Sequence, residues 1–309
     1  MNPQIELSVT IGTVELLNKM DTEPFDSFYL GNPFCLKIRG NLLSDIGILK
    51  SAIGILKSRH KKVYLTTPVI ATASDFKMVE NLLQFGAREN IDAVEVHDVG
   101  ILRAAAKYAL RINLSVFGNV YNRLSALKFS SLGVERVVPS QELTLSEIAE
   151  LGSVPRLDLE LPIHGKLPLG IASTCLLRAK HSSQRETPIP EAPPCRQECA
   201  AENFLEFEGL KIRTKGSATF TGADLVMIEH LPLLLKQGYK NFRVEGLWET
   251  GETLSKLGQV YNEAFRDAAR GKIDPRQNLE QIKQITPHIC NGWYFGQSGQ
   301  EYISTKRTV

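Results

Sequence analysis

No apolar run in this sequence approaches the roughly 18 residues that a helical membrane span needs. The opening stretch MNPQIELSVTIG has no basic segment ahead of an apolar core, so it reads as a β-strand and not as a secretory leader. A cytoplasmic protein is expected. Charge of one sign is also missing. The formal net charge is +2, and Lys and Arg are dispersed along the chain instead of gathered in a patch. That argues against a nucleic-acid partner. The dinucleotide fingerprint G-x-G-x-x-G does not follow the first strand, since VTIGTVELLN holds one glycine. No nucleophile elbow G-x-S-x-G, no H-E-x-x-H and no phosphate loop occurs, so catalytic residues stay unassigned. Cysteine is scarce, five in 309 residues, yet two of the five stand four apart in EAPPCRQECAAENF (191–204).

What is present is a regular alternation. The apolar content is 43% and the charged content 23%, the values of an ordinary globular chain. Short runs rich in β-branched residues (5–9, 28–31, 62–67, 92–96, 112–117, 135–139 and 156–162) end at turn signals and read as strands. Amphipathic helices are predicted between them, over 44–60 and 73–89, with Ser74 as N-cap of the second. TLSEIAELG (144–152) begins on a capping box, Thr144 with Glu147. A strand–helix unit recurring every 20 to 30 residues or so argues a parallel sheet with crossover helices. The strands look apolar almost throughout, as in a sheet buried on both faces. The expectation is an α/β protein, a (β/α) TIM-barrel-like parallel barrel, as one domain over 1–309. The rhythm breaks between 163 and 215, where SSQRETPIPEAPPC (182–195) carries four prolines. Residues 179–215 read as a Pro- and Cys-bearing loop inserted into that domain. Beyond it, helices are predicted over 222–238 and 252–271, with a strand at 241–247.

In a parallel barrel the loops after the strands' C-termini gather on one face, where sites are built. Cys35 and Cys175 each follow a strand, so they are placed to meet although 140 residues separate them. Spacing leaves four readings of the cysteines open. They are small buried hydrophobes, ligands of an iron–sulfur cluster, a zinc site, or a disulfide.

A resemblance bears on that choice. LELPIHGKLPLGIASTCLLR (159–178) resembles the signature of the collagenase-like peptidase family U32. GVERVVPSQELTLSEI (133–148), YLGNPFCLKIRGN (29–41), AVEVHDVGILRAAAK (93–107), NVYN (119–122), RVEG (243–246) and CNGWYFG (290–296) extend it over nearly the whole chain. Pro168 stands where many members carry a cysteine, and Cys35 of the early YLG loop takes its place, as in the short, UbiV-like branch. The resemblance implies a 4Fe–4S cluster on Cys35, Cys175, Cys195 and Cys199, with Cys290 outside it. It implies oxygen-independent hydroxylation of the ubiquinone ring precursor, as one subunit of a heterodimer with a UbiU-like partner. A lipid-carrier protein presenting that precursor and a prephenate-like oxygen donor would complete the system. The alternatives within the family are a peptidase, an RNA-base hydroxylation factor and a cluster-bearing subunit without chemistry of its own.

Six residues are candidates for binding substrate. His164 ends a strand in the signature, and Asn119 and Asn122 follow the fifth strand. Arg243 and Glu245 sit two apart on a strand and so face one side, inward in a barrel. A carboxylate-rich donor needs a cation near the cluster, which makes Arg178 and Arg243 candidates for it.

Overall fold

The computed structural model describes residues 5–175, 177, 195, 199, 203–207 and 209–305. Eight parallel strands close into a barrel: β1 (Glu6–Ile11), β2 (Ser27–Leu30), β3 (Lys62–Thr66), β4 (Ala93–Val96), β5 (Ile112–Leu114), β6 (Val134–Val137), β7 (Asp158–Gly165) and, completing the ring, the strand Asn241–Glu245. Numbered in chain order, β8 (Pro168–Ile171), β9 (Asn203–Phe207), β10 (Leu210–Lys215) and β11 (Ala218–Thr221) form a separate antiparallel sheet. β12 (Asp224–Val226) and β14 (Ile289–Cys290) add a short ladder to the end of β7, and the ring-closing strand is β13. Helices cover the outside, the longest being Gly251–Ala269. No helix among the described residues is long and apolar enough to cross a membrane.

The barrel is polar inside and apolar outside. Along β1, Leu7, Val9 and Ile11 join the hydrophobic core under the helices, whereas Glu6, Ser8 and Thr10 are buried on the opposite face. Val94, Val96, Phe242 and Val244 repeat the outward pattern on β4 and β13. Interior side chains bond across the barrel, as Ser8 and Tyr29 do to Glu160 and Arg136 does to Glu6. Sequence reading took these strands as apolar on both faces. The alternation corrects that: the buried second face is satisfied by hydrogen bonds and ion pairs instead of the branched side chains that usually fill such a barrel.

Two local expectations also change. The run 222–238 is not one helix. Leu225 and Val226 pair with Gly165 and His164 as a strand, a 3-10 turn follows at Ile228–His230, and a helix restarts at Leu231–Lys236 with a proline in its first turn. Tertiary pairing overrides helical periodicity there. The helix Phe76–Arg88 starts from Asp75, which bonds back to Thr72, so Ser74 is not its cap. The Thr144–Glu147 capping box is present as expected. Within the segment read as an inserted loop, 203–207 and 210–215 are strands.

Gly165 marks the exit of β7. Its φ is +107°, and a Cβ there would lie 2.5 Å from the Glu245 carbonyl oxygen on β13. Gly165→Ala is therefore expected to cost about 2 kcal/mol or more, combining backbone strain with loss of the β7–β13 fit. Urea denaturation of the variant measures this, and an unchanged midpoint contradicts it.

Candidate functional site

At the C-terminal ends of the strands the polar interior opens into a chamber. Its floor is charged. Arg243 Nη1 donates to Glu95 at 2.6 Å and Nη2 to Glu160 at 3.0 Å, with the guanidinium carbon 3.8 Å from the centre of the Tyr29 ring. Burial works to raise the Glu95 carboxyl, yet Arg243 outweighs it and holds Glu95 below the usual carboxylate range. Beneath this layer Glu6 takes Arg136 at 2.8 Å, Lys62 at 2.7 Å and Tyr64 at 2.6 Å, and against the effect of burial these partners hold it well below that range too.

From Glu95 a hydrogen-bonded chain climbs to the rim. Thr66 Oγ1 donates to Glu95 at 2.8 Å, so at 3.1 Å it accepts from His97 Nε2–H. His97 Nδ1 then accepts from the Ser115 hydroxyl at 2.6 Å. This assignment keeps the imidazole neutral, in line with its burial, which lowers its pKa despite the nearby Glu95. The walls are aromatic. Phe34 meets Phe220 at 4.9 Å and Phe117 at 5.8 Å between centroids, and Trp248 lies 5.3 Å from Phe220. About 50 Å³ is free within the chamber.

Glu245 ends β13 beside Arg243 and lines the same chamber. Thr10 Oγ1 donates to it at 3.2 Å, and Arg243 Nη1 stands 3.7 Å away. Burial raises its carboxyl to about 7. Arg243 pulls it down, while Glu95 and Glu160 push it up.

A second cavity of about 270 Å³ adjoins the first and shares Pro33 and Phe34 with it. Cys35, Cys175, Cys195 and Cys199 all line it. None of the five cysteines forms a disulfide. The Cys35 loop is clipped by Asn41, whose Nδ2 donates to the Asn32 and Cys35 carbonyls at 3.0 and 3.1 Å. The β10–β11 turn closes the other side, with Ser217 Oγ donating to the Phe34 carbonyl at 2.8 Å. Burial raises the Cys199 thiol, and so do Cys35, Cys195 and Cys175 in that order, which places those three within electrostatic reach of Cys199. Among the described residues no three His, Cys, Asp or Glu side chains are grouped so as to hold a metal ion. Cys290 is buried elsewhere, its thiol pushed up to about 12 by burial.

Of the six binding candidates, Arg243 and Glu245 reach the chamber. His164 does not. The β7–β13 register slips between Arg243 and Val244, and this bulge turns His164 outward, where Nδ1 lies 3.3 Å from the Tyr261 hydroxyl. Burial lowers that imidazole to about 4. Asn122 caps the helix Arg123–Ser131, and Asn119 is an exposed left-handed residue, so neither lines the chamber. Arg178 lies outside the described residues. Arg243, read as a cation for a carboxylate donor, is engaged by carboxylates of its own chain. Sequence reading did not find Glu95, Glu160, Tyr29, Ser115 or the aromatic wall.

Comparison with known proteins identifies the class. The model of peptidase family U32 matches residues 12–304, and the chain belongs to that family. An uncharacterized protease of Methanocaldococcus jannaschii is 32% identical over 76% of this chain. The chain spans only 60% of that relative's length. The tRNA hydroxylation protein P of Helicobacter pylori is 25% identical over 98% of this chain and 74% of its own, and that of Escherichia coli 23% over 91% and 72%. The solved structure of a U32 peptidase shares the fold, with a TM-score of 0.50 at 11% identity over 81% of this chain and 96% of that one.

Two substitutions separate the roles of the floor charges. Arg243→Met leaves Glu95 and Glu160 buried without their cation and is expected to cost about 3–5 kcal/mol. Glu245→Gln should act oppositely and with pH. A carboxyl raised to about 7 in the folded chain has its full stability below the ordinary carboxylate value and loses it as pH rises through 7. Glu245→Gln is therefore expected to be more stable than wild type at pH 8, by up to ~3 kcal/mol, and nearly equal to it at pH 4.5. Denaturant midpoints at both pH values check the sign.

Proposed function

We propose that this chain is an iron–sulfur protein of oxygen-independent ring hydroxylation, acting in the cytoplasm with a UbiU-like partner in ubiquinone biosynthesis. One observation carries the reading: four cysteines from distant positions line one cavity, directly beside an aromatic-walled chamber at the barrel mouth. The donor set fits a four-thiolate group. Four thiol donors around about 270 Å³ suit a cluster whose ligands bind separate iron corners, whereas the isolated sequence positions of Cys35 and Cys175 suit zinc less, since zinc cysteines usually come in close pairs. Cys35, Cys175, Cys195 and Cys199 would hold a 4Fe–4S cluster, and when bound it supplies one-electron chemistry next to the chamber.

The chain's own residues would do the rest. Phe34, Phe117, Phe220 and Trp248 favour a flat ring, and the space of about 50 Å³ admits the edge of one ring and excludes a folded polypeptide. The hydroxylation relatives support hydroxylation as the reaction class. The dispersed charge of +2 favours a small ring, delivered by a lipid carrier, over tRNA. A prephenate-like donor would have to find its cation elsewhere than at Arg243. A second reading, hydrolysis, is favoured by the Ser115–His97 contact, which has the form of a nucleophile and its base.

The first test is metal content. Alanine at Cys35, Cys175, Cys195 or Cys199 is expected to remove most iron and sulfide from anaerobically prepared protein, while Cys290→Ala keeps both. Zinc in the wild-type protein, or iron retained by Cys35→Ala, overturns the cluster. The second test is made in cells lacking the chain and grown without oxygen. Restored ubiquinone supports the reading, restored hydroxylated tRNA nucleosides transfer it to RNA, and peptide turnover abolished by Ser115→Ala would replace it with hydrolysis.

A further inference from the structure

Glu245 is placed differently from the other acids of the barrel. Glu6, Glu95 and Glu160 each hold at least one guanidinium nitrogen at 3.0 Å or closer. Glu245 has the Thr10 hydroxyl at 3.2 Å and only the flank of Arg243 at 3.7 Å, on a nitrogen already bonded to Glu95 at 2.6 Å. It also keeps 18% of its side chain exposed, against 5% for Glu95 and none for Glu160. Its carboxyl thus faces the chamber with acceptor capacity to spare.

The surroundings of Glu245 come from four strands. Thr10 stands on β1, Glu95 and the adjoining His97 on β4, Glu160 on β7 and Arg243 on its own β13. Lys166, just past β7, also lines the chamber but is paired with Asp224 at 2.6 Å. Three carboxylates therefore lie against the guanidinium of Arg243, while Arg136 reaches Glu160 only at 3.8 Å and is bonded to Glu6, and the balance at Glu245 is negative. A bound anion is disfavoured at that floor. A neutral group that donates a hydrogen bond is favoured, since it meets the spare acceptor without adding charge. Above the floor Phe34, Phe117, Phe220 and Trp248 leave room for a ring entering edge first.

We propose that Glu245 is the specificity-determining residue of the chamber, its carboxylate accepting a hydrogen bond from the O–H or N–H on the edge of the bound ring. The inference rests on the ring-hydroxylation reading and deepens it by naming the feature that the ring must carry. Phenols and uracil-type imides share that feature, and their methylated counterparts lack it. A site built to pair with a donor rejects the analogue lacking it, because the buried acceptor is left unpartnered. Recognition is also proton-linked. The ionised carboxylate is the better acceptor, so affinity for the donor ring rises as pH passes upward through about 7.

The experiment is calorimetric titration of the full chain, prepared anaerobically, with p-cresol against 4-methylanisole and uridine against 3-methyluridine, at pH 5.5 and pH 8. Wild type is expected to bind p-cresol at pH 8 about tenfold more tightly than 4-methylanisole, and about tenfold more tightly than it binds p-cresol at pH 5.5. If the imide pair discriminates and the phenol pair does not, the same chemistry is serving a nucleobase. Glu245→Gln should flatten the pH dependence, and Glu245→Asp should retain it. Thermal melts of both variants show whether each is folded. Because His97 and Glu95 stay in both variants, a pH dependence that survives in Glu245→Gln belongs to them and overturns the assignment. Equal affinity for donor and methylated rings, or no binding of either, overturns it as well. Iron per chain measured on the same samples separates the two levels: normal iron without discrimination removes the role of Glu245 and leaves the cluster, and discrimination without iron does the reverse.

Discussion

Arg243 is buried inside the barrel with Glu95 and Glu160 on its terminal nitrogens and the Tyr29 ring against its face, and the geometry of the chamber floor follows from that one buried guanidinium. Buried charges are tolerated only when their partners and hydrogen bonds are nearly complete. Here Tyr29 and Ser8 fill further positions on Glu160, and Thr66 fills one on Glu95. Six strands are thereby tied through the interior as well as by their ladders. Stability has to come from elsewhere, since an ion-paired interior contributes little net free energy. It comes from the outward faces, where Leu7, Val9, Val94, Phe242 and their neighbours form one continuous core with the helices. The interior instead fixes where each polar group stands.

That division of labour separates a rigid floor from an assembled rim. Glu95, Glu160, Arg243 and Glu245 lie on barrel strands held on both sides. The cysteines and the aromatic walls come from the segments beyond the strand ends and from the antiparallel sheet. Their positions depend on single clips, such as Asn41 on the Cys35 loop and Ser217 on the Phe34 carbonyl. Substitutions at the rim leave the ion pairs of the floor in place, because the two are carried by different segments.

Some of this was legible in the sequence. The strand–helix rhythm gives the barrel because each unit carries its own local signals, and Thr144–Glu147 gives a helix start for the same reason. The inward pair Arg243 and Glu245 follows from a spacing of two on a strand. The same alternation is written in ELSVT and AVEVH, where Glu6, Ser8, Glu95 and His97 recur at that spacing, but the β-branched residues between them dominate the impression of the strands. His164 shows a limit of another kind. A single bulge on β7 reverses which face it occupies, and nothing in LPIHG announces it. The aromatic wall was illegible because Phe34, Phe117, Phe220 and Trp248 come from four separate segments and meet only when the rim is assembled.

Phe34 stands between the two cavities, whose linings differ in chemistry. On one side lies the acid-rich floor. On the other lie four cysteines, of which Cys35, Cys195 and Cys175 add to the effect of burial in raising the Cys199 thiol. The cation that spans the boundary is Lys215, whose ammonium lies 5.7 Å from the centre of the Trp248 ring and donates to the Cys199 carbonyl at 2.9 Å. Its position couples the wall of the chamber to the loop that carries Cys199, so displacing either disturbs the other. The surplus of carboxylates at the floor disfavours an anion in the chamber, whereas a neutral ring meets no such barrier at Glu245.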